Sequence, residues 1–273
     1  VLALTVSTLH SLVNVSRLDE DFTRLREAFQ RATPFGHVVI DDFLEPGFAQ
    51  LLHAQYPRLD GMQRSVARLL RARSYDGDVA RFGPPFSDYF SAIESDPFRA
   101  WLRRLTGIDD LEMDPKLVGG GLHQGARGSS LHVHADHNTH PDDPSRYRRI
   151  NVLFYVNADW KPDYGGDLEF YDASGTKIVG KVAPAFNRCV IMDVHDTAFH
   201  GYQPLRIPSN VTRKLLASYF YSSVPSPLQA VASHPTLYGT PDHSPSEMLT
   251  TRMRRWVLHR LSDAGGLRPR LPR

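Results

Sequence analysis

The chain has 273 residues, with 32 basic and 30 acidic side chains and a hydrophobic share of 41%. These values fit one large or two small folded domains of about 100–200 residues each and exclude extended disorder and a membrane bundle. A net charge of +2 is too small to imply nucleic acid or an anionic membrane as partner, and a single cysteine, Cys189, excludes an intrachain disulfide and fits a reducing cytosol.

The opening Val1 to Val13 lacks a basic start and an A-x-A cleavage pattern, so no signal peptide is expected there. Asp19 to Arg31 carries apolar residues at helical spacing, with acids ahead of bases as the helix dipole prefers. His37 to Leu44 is a short β-like run, and Pro46 to Tyr56, Gln63 to Arg73 and Pro85 to Leu105 are further helical candidates. The first 113 residues therefore read as a helix-rich support.

After Asp114 the character changes. Runs of β-branched and aromatic residues follow at 116–124, 130–135, 150–157, 167–171, 177–182, 188–194, 198–202 and 213–222, separated by turn signals such as Gly165-Gly166 and Ala173-Ser174-Gly175. Short strands at regular intervals predict an antiparallel sandwich or jelly roll over 114–224, mainly β with flanking helices, in a single domain that spans 1–273. His243 to Leu261 reads as a closing helix ahead of a Pro, Gly and Arg tail. The arginines from Arg252 to Arg273 read as a solvated face, since no aromatic platform accompanies them.

Histidines concentrate between His123 and His140. His134-Ala135-Asp136 ends a β-like run, and side chains two apart on a strand project from one face, so an imidazole and a carboxylate can share an ion. His140-Pro141-Asp142 repeats the pattern, but its proline and the flanking PDDP predict a loop, which makes it a decoy. His200 lies 200 − 136 = 64 residues beyond Asp136, where a later strand can return beside the first. Two histidines and a carboxylate on one face of an octahedral ion suit non-haem Fe(II) and leave three positions open. His195 competes for the distal place, and the His-Gly pair and the spacing to Arg213 favour His200. Arg213, 213 − 200 = 13 residues further on, supplies a guanidinium able to hold a carboxylate by two parallel hydrogen bonds.

These residues resemble the Fe(II)/2-oxoglutarate-dependent oxygenases of the prolyl 4-hydroxylase-like branch. HADHN, RRINVLFYVNADW, YGGDLEFYD, VAPAFNRCVIMDVHDTAFHGYQPL and TRKLLASYFY match that family's strands and turns in order, from about Gly119 to Ser223. The resemblance implies a double-stranded β-helix, iron at His134, Asp136 and His200, and the distal carboxylate of 2-oxoglutarate at Arg213 and Tyr155. Gln124 and Asn151 stand where relatives often have a tyrosine and a threonine near the co-substrate. Retention of Asp136 implies hydroxylation or another oxidation driven by O2 rather than halogenation. The expected reaction oxidises a C–H bond of a small polar metabolite, with a bacterial tailoring enzyme in view, or of a prolyl or other amino-acid residue. A cupin-like binding protein and a zinc hydrolase are the competing classes. His132 reads as packed or near the substrate, His137 as a loop residue, Trp160 and Tyr164 as packing, and 138–149 as a loop and candidate lid.

Overall fold

The computed structural model describes residues 12–13, 15–62 and 73–239. The helix candidate at 63–73, except its last residue, the closing helix at 243–261 and the arginine-rich tail lie outside the described residues, as does most of 1–13. Two helices, α1 (Val15–Glu20) and α2 (Phe22–Arg31), replace the single helix expected over 19–31. They lead into β1 (His37–Ile40) and α3 (Pro46–Gln55), where Pro46 takes the first helical position and the Glu45 carboxylate accepts from the Phe48 N–H. Arg73 opens a strand, β2 (Arg73–Asp76), and does not close a helix.

The helix expected over 85–105 is broken into α4 (Pro84–Glu94) and α5 (Asp96–Thr106). Pro97 has no N–H for a bond to residue 93 and therefore fits only the first turn of a new helix. Phe98, Trp101, Leu102 and Leu105 follow at helical spacing along α5 and are all buried. Each such side chain contributes about 1.5–3 kcal/mol on leaving water, which attaches the helix layer to the sheet behind it.

The strands β3 (Glu112–Met113), β4 (Gly121–Gly125), β5 (Leu131–Ala135), β6 (Thr139–His140), β7 (Asp143–Tyr155), β8 (Leu168–Tyr171), β9 (Ile178–Val182), β10 (Arg188–Asp193), β11 (His200–Tyr202), β12 (Arg213–Ser222) and β13 (Leu237–Tyr238) complete two antiparallel sheets. The larger runs β1-β10-β7-β12-β4-β2, with β3 on β12 and β6 on β7; the smaller runs β13-β5-β11-β8-β9. The expected double-stranded β-helix is the observed fold.

Alternation places every core residue of the larger sheet. Ile150, Val152 and Phe154 on β7, Cys189 and Ile191 on β10, and Leu216 and Phe220 on β12 join the helix-side core. Leu153, Tyr155, Val190, Met192 and Ala217 face the other way and pack against Leu168 and Phe170 of the smaller sheet. A strand buried on both faces reads as a continuous apolar run, which is how Leu215 to Tyr221 reads.

Gly121 secures the edge of this sheet. Its φ is +89°, and a Cβ there would lie 2.2 Å from the Asp76 carbonyl oxygen on β2. Gly121→Ala is expected to destabilise the protein by about 1–3 kcal/mol, from positive-φ strain together with the parting of β2 from β4. Urea denaturation measures it, with Gly61→Ala, where a Cβ meets nothing within 4 Å, as the control. An unchanged midpoint for Gly121→Ala would contradict this role.

Candidate active site

The two sheets enclose a cavity of about 400 Å³. On its wall β5 and β11 pair so that His134 stands directly opposite His200, their ring centroids 4.4 Å apart. The Nδ1 of His134 lies 2.8 Å from the His132 carbonyl oxygen and that of His200 3.0 Å from the Ala198 carbonyl oxygen. A carbonyl oxygen only accepts, so each Nδ1 carries the proton and each Nε2 keeps its lone pair for a ligand. Asp136, just past the end of β5, sets one carboxylate oxygen 3.4 Å from the Nε2 of His134 and the other 3.8 Å from that of His200. Candidate ligand atoms of the three side chains all lie within 4.8 Å of one another.

The charge states suit a cation. Burial alone would raise the Asp136 carboxyl, but the Arg148 guanidinium beside it holds it well below the usual carboxylate range. Burial, reinforced by His134, pushes His200 down to about 4, so its imidazole is neutral at ordinary pH. One carboxylate and two imidazole nitrogens on one face of an ion form the donor set of a non-haem Fe(II) site.

Asp136 is held from behind. The Asn151 Nδ2 donates to its Oδ2 at 2.8 Å, Arg148 lies 3.1 Å from the same oxygen, and the Arg148 Nε donates to the Asn151 Oδ1 at 3.0 Å. Arg148 is 2% exposed, with its guanidinium carbon 3.4 Å from the centre of the Tyr219 ring. A bulge places it there: Phe220 faces Ile150 but Tyr221 faces Arg148, so Arg149 is the extra residue and the alternation of β7 is reset. Arg148 therefore shares the cavity face with Asn151, Leu153 and Tyr155. Arg148→Met is expected to weaken iron binding roughly 10- to 100-fold, the usual effect of losing a partner behind a metal ligand. Competition with a chromophoric chelator measures it, and unchanged affinity would deny Arg148 this part.

Deeper in the cavity, Arg213 is 5% exposed. Its Nε donates to the Gly166 carbonyl at 2.8 Å and a terminal nitrogen donates to the Tyr155 hydroxyl at 3.3 Å, while the guanidinium lies over the Tyr202 ring. Because Tyr155 accepts from Arg213, its own O–H is directed to another acceptor. Gly166 has φ +75°, and a Cβ on it would sit 2.3 Å from Leu205 and 3.2 Å from Arg213, so only glycine lets the backbone close over this side chain. No carboxylate among the described residues pairs with Arg213. A buried guanidinium without a protein anion fits a site for an anionic ligand, and the carboxylate of 2-oxoglutarate is the group it suits.

The structure brings His134, Asp136, His200, Arg213 and Tyr155 to one cavity and reassigns two further residues. Asn151 contacts Asp136 and Arg148, not the Arg213–Tyr155 pair. Gln124 borders the cavity, but it alternates with His123 onto the face of Leu122, and its amide donates to the Thr212 hydroxyl at 2.8 Å. His123 faces the cavity and stacks on Tyr75. His132 lines the cavity as well.

His140 is no loop residue: it is buried in β6, accepts at Nδ1 from the Asp142 N–H and places Nε2 3.3 Å from Asp114. Asp142 points outward toward Lys116. The expected 138–149 loop is a β-hairpin, β6 with the outer half of β7, and its central turn is only residues 141–142. His137, just ahead of β6, is pushed down to about 4 by burial and Arg148. His195 accepts from Thr197 and meets the edge of Phe35, away from the triad. Trp160 and Tyr164 pack on Tyr202 and Leu205. Arg73, Tyr75, Arg148, Tyr219 and Tyr238 are among the cavity residues that the sequence reading missed.

Residues 120–221, which include every ligand candidate and Arg213, match the family described as the 2OG-Fe(II) oxygenase superfamily. The β core of this chain is therefore similar to that superfamily, and the donor set and the Arg213 pocket fit the iron and 2-oxoglutarate that its description names.

Three relatives place this β core among known proteins. The chain is 27% identical over 193 residues to mouse prolyl 3-hydroxylase OGFOD1, across 69% of this chain and 33% of that protein, so it spans about a third of this relative's length. Its fold is similar to that of a Pseudomonas putida prolyl-4-hydroxylase, with a TM-score of 0.52 and 21% identity over 72% of this chain and 97% of the other. It is also similar to SnoN, a non-haem α-ketoglutarate-dependent epimerase of nogalamycin biosynthesis, with a TM-score of 0.52 and 13% identity over 83% and 95% of the two chains. The last two likenesses concern the fold alone. Among the described residues no helix is long and apolar enough to cross a membrane.

Proposed function

We propose that this protein is an Fe(II)- and 2-oxoglutarate-dependent dioxygenase that hydroxylates an unactivated C–H bond of a prolyl or other amino-acid residue. The observation that carries the activity is the union in one cavity of a His134, Asp136 and His200 cluster with a buried guanidinium, Arg213, that has no anion of its own among the described residues. A zinc hydrolase needs the first and has no use for the second.

Bound iron would let O2 act as the oxidant, with 2-oxoglutarate giving up two electrons as it becomes succinate and CO2, so that one oxygen atom enters succinate and the other the substrate. The protein's own residues do the rest. His134, Asp136 and His200 would hold the metal on one face, with Asn151 and Arg148 fixing the carboxylate. Arg213 and Tyr155 would orient the co-substrate by its far carboxylate, and the apolar Leu153, Leu168 and Leu215 exclude water around it.

The mouse relative supports an amino-acid residue as substrate over the small polar metabolite that the sequence reading put first. The test is succinate formation from 2-oxoglutarate with a panel of blocked proline peptides and, separately, free amino acids. Iron- and O2-dependent succinate, increased by a peptide that gains one oxygen atom, is the expected result. Turnover restored by zinc and indifferent to 2-oxoglutarate would overturn the reading.

A further inference from the structure

The larger sheet carries a second arginine in line with the first. Arg213 on β12 pairs with Gly125 on β4, and Gly125 pairs in turn with Arg73 on β2. Residues in register across neighbouring strands project from the same face, so the two side chains rise from one row about 10 Å apart, two strand spacings. Both line the cavity.

One anion cannot serve both. A Cβ on Gly125 would meet the Ser129 Oγ at 2.5 Å and the Tyr202 Oη at 3.3 Å, so these atoms fill the space above the glycine and separate the two guanidiniums. Arg213 lies on the closed side under Tyr202 and Gly166. Arg73 lies on the edge strand, where the neighbouring Tyr75 is 36% exposed.

Arg73 has no acidic partner among the described residues. Asp136, the one carboxylate among the described residues that line the cavity, is committed to Arg148 and Asn151. The ten residues before Arg73, 63–72, contain three arginines and no acid. In the next row of the same face, Tyr75 stacks on His123 with centroids 5.7 Å apart and planes 25° from parallel. The Nε2 of His123 lies 3.1 Å from the Gly119 carbonyl oxygen, which fixes the ring. A guanidinium with no acidic partner among the described residues, beside a flat aromatic surface, is suited to a ligand with an acidic group and a flat or apolar body.

We propose that Arg73 and the Tyr75–His123 pair form the substrate-anchoring subsite of this cavity, and that the substrate carries a carboxylate or phosphate seated on Arg73. The proposal rests on the dioxygenase reading in taking the remaining cavity as the substrate's place. It makes Arg73 a specificity-determining residue, distinct from the residue that holds the co-substrate.

The test is calorimetric titration of benzoate and of its neutral counterpart benzamide into protein saturated with Mn(II) and 2-oxoglutarate, which occupies Arg213. Benzoate is expected to bind at least about tenfold more tightly, the scale of one charge-assisted contact. Arg73→Gln should erase that preference without changing 2-oxoglutarate affinity, Arg73→Lys should keep part of it, and Tyr75→Leu should weaken both probes alike. Phenyl phosphate, titrated in parallel, tells a phosphate site from a carboxylate site. Equal affinities, no binding of either probe, or a preference that survives Arg73→Gln would overturn the subsite. Failure of 2-oxoglutarate itself to bind would instead strike the dioxygenase reading. The same titrations on Arg213→Gln, with and without Arg73→Gln and without co-substrate, then still decide the subsite.

Discussion

Replacing Asp136 by alanine is expected to abolish iron-dependent turnover and to lower iron affinity by more than the roughly 100-fold that follows loss of a partner behind a ligand. The carboxylate is the only anion of the triad, and without it His134 and His200 offer two imidazole nitrogens on neighbouring strands. The substitution also strands Arg148, which is 2% exposed and lies 3.1 Å from Asp136. Removing one partner of a buried ion pair costs about 3–5 kcal/mol, so the metal-free variant should unfold at lower urea. Circular dichroism beside a metal titration separates the two effects. Asp142→Ala is the matched control: its carboxylate is exposed and 3.4 Å from Lys116, a surface pair of about 0–1 kcal/mol, and both stability and turnover should survive. Normal turnover by Asp136→Ala, or its loss in Asp142→Ala, would show that the wrong His-x-Asp pair has been assigned.

Arg213→Gln is expected to raise the KM for 2-oxoglutarate by roughly 100-fold, the equivalent of about 3 kcal/mol for truncating one side of a buried, hydrogen-bonded charge pair. Metal affinity measured without co-substrate should change little, because no hydrogen bond or ion pair joins Arg213 to the triad among the described residues. Arg213→Lys should fall between, since an ammonium keeps the charge but loses the fork that reaches Gly166 and Tyr155 together. Steady-state kinetics with varied 2-oxoglutarate tests this, and an unchanged KM in Arg213→Gln would place the co-substrate elsewhere.

What the sequence made legible follows from alternation and from where it breaks. β12 coincides with its expected span because its run of apolar residues is buried on both faces. β7 was expected to begin at Ile150, seven residues late, because its outer half is charged and forms a hairpin with β6. Arg148 escaped notice for the same reason: an arginine in a polar run reads as surface, and simple alternation from Ile150 puts it on the helix side until the bulge at Arg149 returns it to the cavity. Gln124 is the opposite case. Leu122 is an apolar core residue, so period two alone puts Gln124 on the helix side and His123 on the cavity side, a signal that the resemblance overrode. Asn151 stands near the co-substrate by resemblance alone, and strand register, which the sequence does not show, sets it beside Asp136. β2 and β13, of four and two residues, are too short to show a period.

In the proposed activity one ion at His134, Asp136 and His200 and one 2-oxoglutarate at Arg213 meet in the same cavity. Anaerobic visible absorption tests it most directly, with Fe(II) added first and 2-oxoglutarate second to the native protein, His200→Ala and Arg213→Gln. A weak charge-transfer band is expected only after both additions, absent in His200→Ala and shifted to much higher 2-oxoglutarate concentration in Arg213→Gln. Folded, iron-loaded native protein that develops no band at saturating 2-oxoglutarate would contradict the account.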